Sequence, residues 1–121
     1  MNIVAIGAVI IGGSIGAILR YGAQQFFSRI FQTTLPLATL IVNIVGSFLL
    51  GLFVALQIDE LLILFFGIGI LGAFTTFSTV MVETIQLYVQ KKYRIAFLYQ
   101  FLSYGGGILL AFCGFLLGTL L

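Results

Sequence analysis

The chain carries the sequence Gly-Ala-Phe-Thr-Thr-Phe-Ser-Thr at residues 72–79, near the centre of an apolar block that runs from Leu61 to Tyr88. A continuous α-helix of that length would measure about 42 Å, whereas the hydrocarbon core of a bilayer is about 30 Å thick. The block must therefore tilt, protrude or break. Irregular backbone at membrane depth is tolerated where it lines a cavity, and broken helices use their freed carbonyls and amides to hold ions.

This stretch has four hydroxyl side chains within five residues, and three glycines lead into it at Gly67, Gly69 and Gly72. We therefore predict a broken helix at an ion site. The alternative is an intact helix, in which each Ser or Thr bonds to the carbonyl four residues earlier and the glycines allow neighbouring helices to pack closely.

Composition places the whole chain in a membrane. Of its 121 residues, 62% are hydrophobic and 7% are charged, and the mean hydropathy is +1.30. Soluble domains carry about 25% charged residues, so here the apolar surface must face lipid. Four blocks are long enough for the roughly 20 residues of a spanning helix, namely Ile3–Gly22, Leu35–Leu56, Leu61–Tyr88 and Ile95–Leu121. The sequence predicts an all-α membrane protein, one domain over residues 1–121 with four transmembrane helices, multi-pass in the cell membrane.

The few ionisable residues exclude several function classes. The chain has no His, one Cys and three acids, of which Asp59 and Glu60 are adjacent in a short connection and Glu83 lies apart. These residues form neither a Cys/His metal cluster nor a nucleophilic triad. We therefore expect no enzymatic activity. The net charge of +2 comes from too few residues to build a nucleic-acid-binding patch.

The basic residues are distributed unevenly among the connections. They all lie in or beside the first and third connections: Arg20, Arg29, Lys91, Lys92 and Arg94. The second connection and both ends of the chain have none. Because short loops rich in Lys and Arg stay in the cytoplasm, we expect these two connections inside and both termini outside. The opposing interpretation is that five charges are too few to fix an orientation.

Polar side chains recur at helical spacing in the second and fourth blocks. Asn43 lies within three residues of the middle of its block, where an unpaired amide costs several kcal/mol. Thr39 lies one turn earlier on the same face, and Tyr99 and Ser103 repeat the spacing in the fourth block. Polar groups at this depth mark ion paths, although an amide can also serve only to bond adjacent helices. Amide and hydroxyl donors with phenyl ring edges suit a small anion.

Three segments are together similar to the Fluc (CrcB) fluoride channel family. They read Gly-Gly-Ser-Ile-Gly-Ala-Ile-Leu-Arg-Tyr at 12–21, Pro-Leu-Ala-Thr-Leu-Ile-Val-Asn-Ile-Val-Gly-Ser-Phe at 36–48, and the stretch at 72–79 with Glu83 following. The resemblance implies a fluoride-selective channel that exports fluoride passively and lowers its cytoplasmic concentration. It also implies an antiparallel dimer with two pores along its interface and a structural Na⁺ between the subunits.

The resemblance also implies roles for individual residues. Main-chain carbonyls of Gly72 and Thr75 would hold the Na⁺. Five residues would form the ion pathway: Thr39, Asn43, Phe77, Tyr99 and Ser103. Arg20 and Glu83 match charged positions toward the pore entrances, although an Arg near a helix end can simply extend its side chain to the membrane surface.

Two positions depart from the family pattern. Val80 stands three residues after Phe77, where a second aromatic ring is usual, and Gly107 stands one turn after Ser103, where a hydroxyl often continues the polar track. A homodimer would lack these groups in both pores. A chain that inserts in both orientations should also have balanced Lys and Arg across its loops. We therefore expect a heterodimer with a homologous subunit of opposite orientation.

Two alternatives stay open. A small multidrug exporter subunit has a similar size, but it needs a membrane carboxylate, typically in the first helix, and the first block has none. A non-conducting assembly partner of a heterodimeric fluoride channel is compatible with Val80 and Gly107.

Overall fold

A computed structural model describes residues 2–121, and these form four long apolar spans joined by short connections, with no strand in the described part. We label the helices α1 (Ile3–Ile30), α2 (Leu37–Leu56), α3 (residues 60–74), α4 (Phe77–Val89) and α5 (Tyr93–Leu120). Helices α3 and α4 together make the third span, Glu60–Val89. The predicted all-α fold with four transmembrane helices is confirmed.

Helix α1 extends further than the sequence predicts. It begins after Asn2, whose side-chain oxygen accepts from the Ala5 amide at 2.7 Å, and it continues to Ile30. The prediction that residues 28–34 form the first connection is therefore wrong at its start. Residues 23–30 contain no Pro, and their polar side chains lie on a helical extension beyond the hydrocarbon core, because α1 is about 42 Å long. The other ends differ by one or two residues, with α2 starting after Pro36.

The third span contains the predicted break. Within α3, regular helix at Glu60–Leu62 widens into a π-helix over Ile63–Leu71 and then makes one turn, Gly72–Phe74. The amide of Gly72 donates to the Gly67 carbonyl, five residues back, as wide turns require. The backbone is then extended at Thr75 and Thr76 before α4 begins. These two residues lie halfway along the span.

Close backbone contact pairs the spans. Helix α1 packs against α3, and α2 packs against α5. A Cβ on Gly16 would collide with the main-chain carbonyl of Ile70, and one on Gly114 would collide with that of Phe48. Small residues at helix interfaces allow this approach where lipid supplies no hydrophobic driving force. Large apolar side chains elsewhere point outward along every span.

The charged residues separate to opposite ends of the helices. Asp59 and Glu60 lie beside Asn2 at one end, which we call the acidic end. At the other end, Arg29 ends α1, and the connection between α4 and α5 carries three further basic residues, Lys91, Lys92 and Arg94. We call this the basic end.

Candidate ion site at the break in the third span

The side chain of Asn43 holds the break open. Its Nδ2 donates to the Thr76 carbonyl at 2.8 Å, and its Oδ1 accepts from the Thr76 amide at 2.7 Å. One amide group thus satisfies both halves of a peptide unit 33 residues away in the sequence. This geometry is the helix-bonding role that the sequence left open for Asn43. Because an Asn amide has two N–H donors, one of them stays available beyond this pair.

The break leaves two backbone carbonyls without their helical partners. In a continuous helix the Thr76 amide would bond to the Gly72 carbonyl, and the Thr79 amide would bond to the Thr75 carbonyl. Here the Thr76 amide goes to Asn43, and the Thr79 amide goes to the Thr76 hydroxyl at 3.2 Å, which caps α4. The Gly72 and Thr75 carbonyl oxygens are therefore free to accept another ligand. They are the two oxygens that the resemblance implies.

The hydroxyl groups of the break are mostly used internally. Thr75 Oγ1 donates to the Leu71 carbonyl at 3.0 Å, and Thr76 Oγ1 donates to Thr79 Oγ1 at 3.0 Å. The alternative interpretation of back-bonding hydroxyls thus holds for the Thr75 side chain. What this residue offers to a ligand is its carbonyl.

A cavity of about 280 Å³ opens at the break. It is lined by residues of α2, α3, α4 and α5 and the break itself, including Asn43, Ser47, Gly72, Thr75, Phe77, Ser103 and Tyr104. Ser103 is 7% exposed, and its hydroxyl has no hydrogen-bond partner within residues 2–121. A buried hydroxyl without a partner is unusual and indicates a donor kept for something outside this chain. The Phe77 ring is 66% exposed and lies 6.3 Å from the Tyr104 ring.

The remaining predicted pathway residues form a second group that does not line this cavity. Thr39 is buried and accepts from the Gln24 amide at 3.2 Å, which ties α1 to α2. Tyr99 is fully buried, and its hydroxyl donates to the Glu83 carboxylate at 2.9 Å, which ties α5 to α4. Glu83 also lines a polar recess of about 230 Å³ with Thr33, Thr34, Gln86 and Gln90, at the basic end.

Arg20 and the two departures occupy distinct surroundings. Arg20 is partly exposed and makes neither an ion pair nor a hydrogen bond with any residue of the described part. Val80 is 2% exposed and packs in a core cluster with Leu40 and Tyr99. At Gly107, an added Cβ would lie 3.4 Å from the Ser47 hydroxyl oxygen.

Three lining residues were not predicted from the sequence. Gly46 lets α2 approach the break, because a Cβ there would collide with the Thr75 methyl group. Ser47 lies one turn after Asn43, so the same helical spacing that selected Thr39 also indicates Ser47. Tyr104 directly follows Ser103, and no spacing rule singled it out.

The fold and this site define a small four-span membrane protein whose third span is interrupted at mid-membrane, in the manner of ion-binding transport proteins. The family described as CrcB-like protein, Camphor Resistance (CrcB), matches residues 7–115 of the chain. The chain belongs to this family.

Curated relatives agree along most of the length. Fluoride-specific ion channel FluC 2 of Lactobacillus johnsonii is 41% identical over 106 residues, which cover 88% of this chain and 89% of the relative. Fluoride-specific ion channel FluC 1 of Listeria monocytogenes serotype 4b is 40% identical over 119 residues, 98% of each chain. Fluoride-specific ion channel FluC of a Sulfurihydrogenibium species is 40% identical over 118 residues, which cover 93% of this chain and 95% of the relative. The resemblance noted from the sequence is confirmed.

Proposed function

We propose that the chain is a subunit of a fluoride-selective channel, through which fluoride leaves the cell passively and its cytoplasmic concentration falls. The observation that carries this proposal is the break held open by Asn43, because it places donors and bare carbonyls around a cavity at mid-membrane. The names of the relatives supply the ion. Passive transport requires no catalytic residue.

The groups around the cavity suit a strongly hydrated anion. A small ion that enters a low-dielectric region without partners loses tens of kcal/mol, so donors must replace its water. They must also release the ion at the other side. The second N–H of Asn43, the unpartnered Ser103 hydroxyl and the edge of the Phe77 ring are donors of this moderate kind. Thr39 and Tyr99 would continue the pathway toward the basic end, with Glu83 and Arg20 toward the entrances.

A structural Na⁺ fits the two free carbonyl oxygens. Unwound carbonyls at broken membrane helices are typical Na⁺ ligands, and Gly72 and Thr75 each present one whose helical donor has been diverted. Gly72 is exposed on the outside of a single chain, so a second subunit would be needed to complete the coordination. When bound, the cation would add positive potential that favours an anion nearby.

The site also supports assembly with a second subunit. The cavity opens at the surface of one chain, and Phe77 is largely exposed there, so one chain does not enclose a pore. We assign the chain to an antiparallel dimer with two pores. A heterodimer is favoured over a homodimer because Val80 lies in the core and Gly107 supplies no hydroxyl. The relatives include chains numbered FluC 1 and FluC 2, as expected where one organism has two such subunits.

The charge distribution gives the orientation in the proposed complex. All basic residues except Arg20 lie at the basic end, and Arg20 lies in the half of α1 nearest to it. The positive-inside rule then places the basic end in the cytoplasm and both termini outside. Tagging each terminus and labelling it from one side of intact cells tests this orientation.

Fluoride efflux from liposomes tests the function. The purified chain is reconstituted alone and then with a homologous chain of opposite loop charge, and a fluoride electrode records efflux with and without Na⁺. We expect fluoride flux, with no chloride flux, when both chains are present and Na⁺ is supplied. Full Na⁺-dependent efflux from the chain alone would refute the need for a partner.

The variant Asn43→Asp separates the functions that the sequence left open. A conducting subunit should lose fluoride flux, because a carboxylate repels the anion and removes the donor to the Thr76 carbonyl. A non-conducting assembly partner should change only the amount of its partner in the membrane. Membership of the CrcB-like family leaves the multidrug exporter without support. Absence of fluoride flux under every pairing would overturn the channel function.

A further inference from the structure

The connection between α4 and α5 concentrates positive charge without compensation. Lys91, Lys92 and Arg94 are all exposed, and with Tyr93 and Ile95 they line a recess of about 450 Å³ at the basic end. No acidic residue lines this recess. Within residues 2–121, none of the three cations forms an ion pair, so their charges have no anionic partner in the chain.

The start of α5 adds to this positive potential. The first backbone bond of the helix runs from the Ala96 amide to the Lys92 carbonyl at 3.0 Å, and no side chain caps the end. The amides of the first turn thus point into the same region, where the helix dipole is positive. Cations are unfavourable at this end of a helix, and the first turn holds Arg94 and no acid. The combination matches an anionic ligand.

Favourable contact with α4 accounts for only part of the cluster. The amides of Lys91 and Lys92 bond to the Tyr88 and Leu87 carbonyls, both at 2.9 Å, and close the end of α4 with Lys91 at a positive φ of 61°. Glycine is the usual residue at such a position. A Lys there is stabilised by the negative end of the α4 dipole, but this does not account for Arg94, which lies within the first turn of α5.

The surroundings of the recess are apolar in the way of a membrane interface. Val89 and Phe97 are 76% and 69% exposed on either side of it, and the rings of Tyr88 and Tyr93 lie 5.6 Å apart. Tyrosines gather where headgroups meet acyl chains. The basic recess therefore lies at headgroup depth.

A groove continues from the recess along α5. Tyr93, Phe97, Phe101 and Gly105 follow one another at a spacing of four, so they share one face of the helix. The lower part of this face lines a groove of about 290 Å³, and an added Cβ on Gly105 would meet nothing within 4 Å. Eleven residues separate Arg94 from Gly105, about 16 Å along the helix, a length suited to an acyl chain.

We propose that the recess of Lys91, Lys92 and Arg94 binds the phosphodiester headgroup of an anionic phospholipid, whose acyl chain lies in the groove beside Phe97, Phe101 and Gly105. Charge complementarity selects the headgroup, and the apolar groove that leads from the recess selects a lipid over a soluble phosphate. This lipid site is separate from the break and does not depend on the proposed channel function.

The thermal midpoint of the purified, full-length protein in detergent tests the proposal. Dioleoyl phosphatidylglycerol, dioleoyl phosphatidylcholine and inorganic phosphate are titrated separately. We expect a saturable rise in the midpoint with phosphatidylglycerol alone. The double variant Lys92→Gln/Arg94→Gln should weaken that binding by roughly 25-fold, since each basic residue near an anionic surface contributes about fivefold.

The matched control removes the same charge from the same half of the molecule. Arg20→Gln/Arg29→Gln should keep the native affinity for phosphatidylglycerol, and the charge-preserving Lys92→Arg/Arg94→Lys should keep it within about threefold. The charge-preserving variant also reports whether substitution at these positions permits folding. Equal losses in both double variants, equal effects of the two lipids, or the same stabilisation by inorganic phosphate would each overturn the proposal.

Discussion

Replacing Asn43 by Ala removes the only side-chain amide that bridges the break within the described chain. Two hydrogen bonds to the Thr76 peptide, of 2.8 and 2.7 Å, are lost. Such bonds contribute about 0.5–1.5 kcal/mol each, and measured averages between membrane helices are nearer 0.6. The direct loss is therefore about 1–3 kcal/mol.

The total depends on what happens to the Thr76 amide. If it stays unpaired, its lost solvation costs a further 1–3 kcal/mol or so. If it turns back to the Gly72 carbonyl, the helix becomes continuous and this penalty disappears. We expect a loss of about 2 kcal/mol when the break closes and about 4 when it stays open. At about 4 °C per kcal/mol for a chain of this size, the thermal midpoint falls by roughly 8 or 16 °C.

The assay combines the thermal midpoint in detergent with fluoride efflux from liposomes. Either outcome should abolish efflux, because the cavity loses its amide donor and closure would also occupy the Gly72 carbonyl. Thr84→Val is the control: Thr84 is buried and bonds only to the Val80 carbonyl within α4, at 2.7 Å. It should cost about 1 kcal/mol and leave efflux intact. A midpoint for the Ala variant within 2 °C or so of the native value, with efflux retained, would refute a structural role for Asn43.

Three further predictions follow from single contacts. Thr75→Val removes only the hydroxyl bond to the Leu71 carbonyl, so the Na⁺ dependence of efflux should stay within about twofold of native; loss of that dependence would make the hydroxyl a ligand. Gly16→Ala places a Cβ against the α3 backbone and should lower the thermal midpoint by about 1–3 kcal/mol, whereas Gly7→Ala meets open space and should raise it by up to about 1, and equal shifts would contradict the close contact. Tyr99→Phe leaves the Glu83 carboxylate without its donor and should destabilise by about 1.5–3 kcal/mol, more than Glu83→Gln, which keeps an acceptor; the reverse order of the two midpoints would show that the bond contributes nothing.

The position of the break could be predicted because it depends on local properties. An apolar block too long for the bilayer, with glycines and hydroxyls at its centre, weakens the helix near Thr75 whatever packs beside it. The end of α1 could not be read in the same way. Its polar residues 24–29 resemble a loop, but they are compatible with helix, and the extension beyond the core keeps them helical.

The partners of the polar residues depended on distant parts of the chain. Spacing placed Thr39 and Asn43 on one face of α2, yet Asn43 bonds to Thr76 whereas Thr39 bonds to Gln24. Likewise Tyr99 and Ser103 share a face of α5, but one is paired with Glu83 and the other lines the cavity without a partner. Helical periodicity gives the face that a residue occupies and does not give its neighbour on another helix.

The sequence by itself determined that this protein spans the membrane four times, that its positive charge lies at one end and that its third span fails at mid-membrane. Each of these depends on the transfer of local groups between water and lipid, which composition records directly. Only the tertiary structure decided that one amide of α2 satisfies the interrupted backbone, that the Gly72 and Thr75 carbonyls are left free, and that Ser103 faces the resulting cavity. These follow from the close approach of helices at their glycines, and a contact between residues 33 positions apart is fixed by packing geometry rather than by local composition.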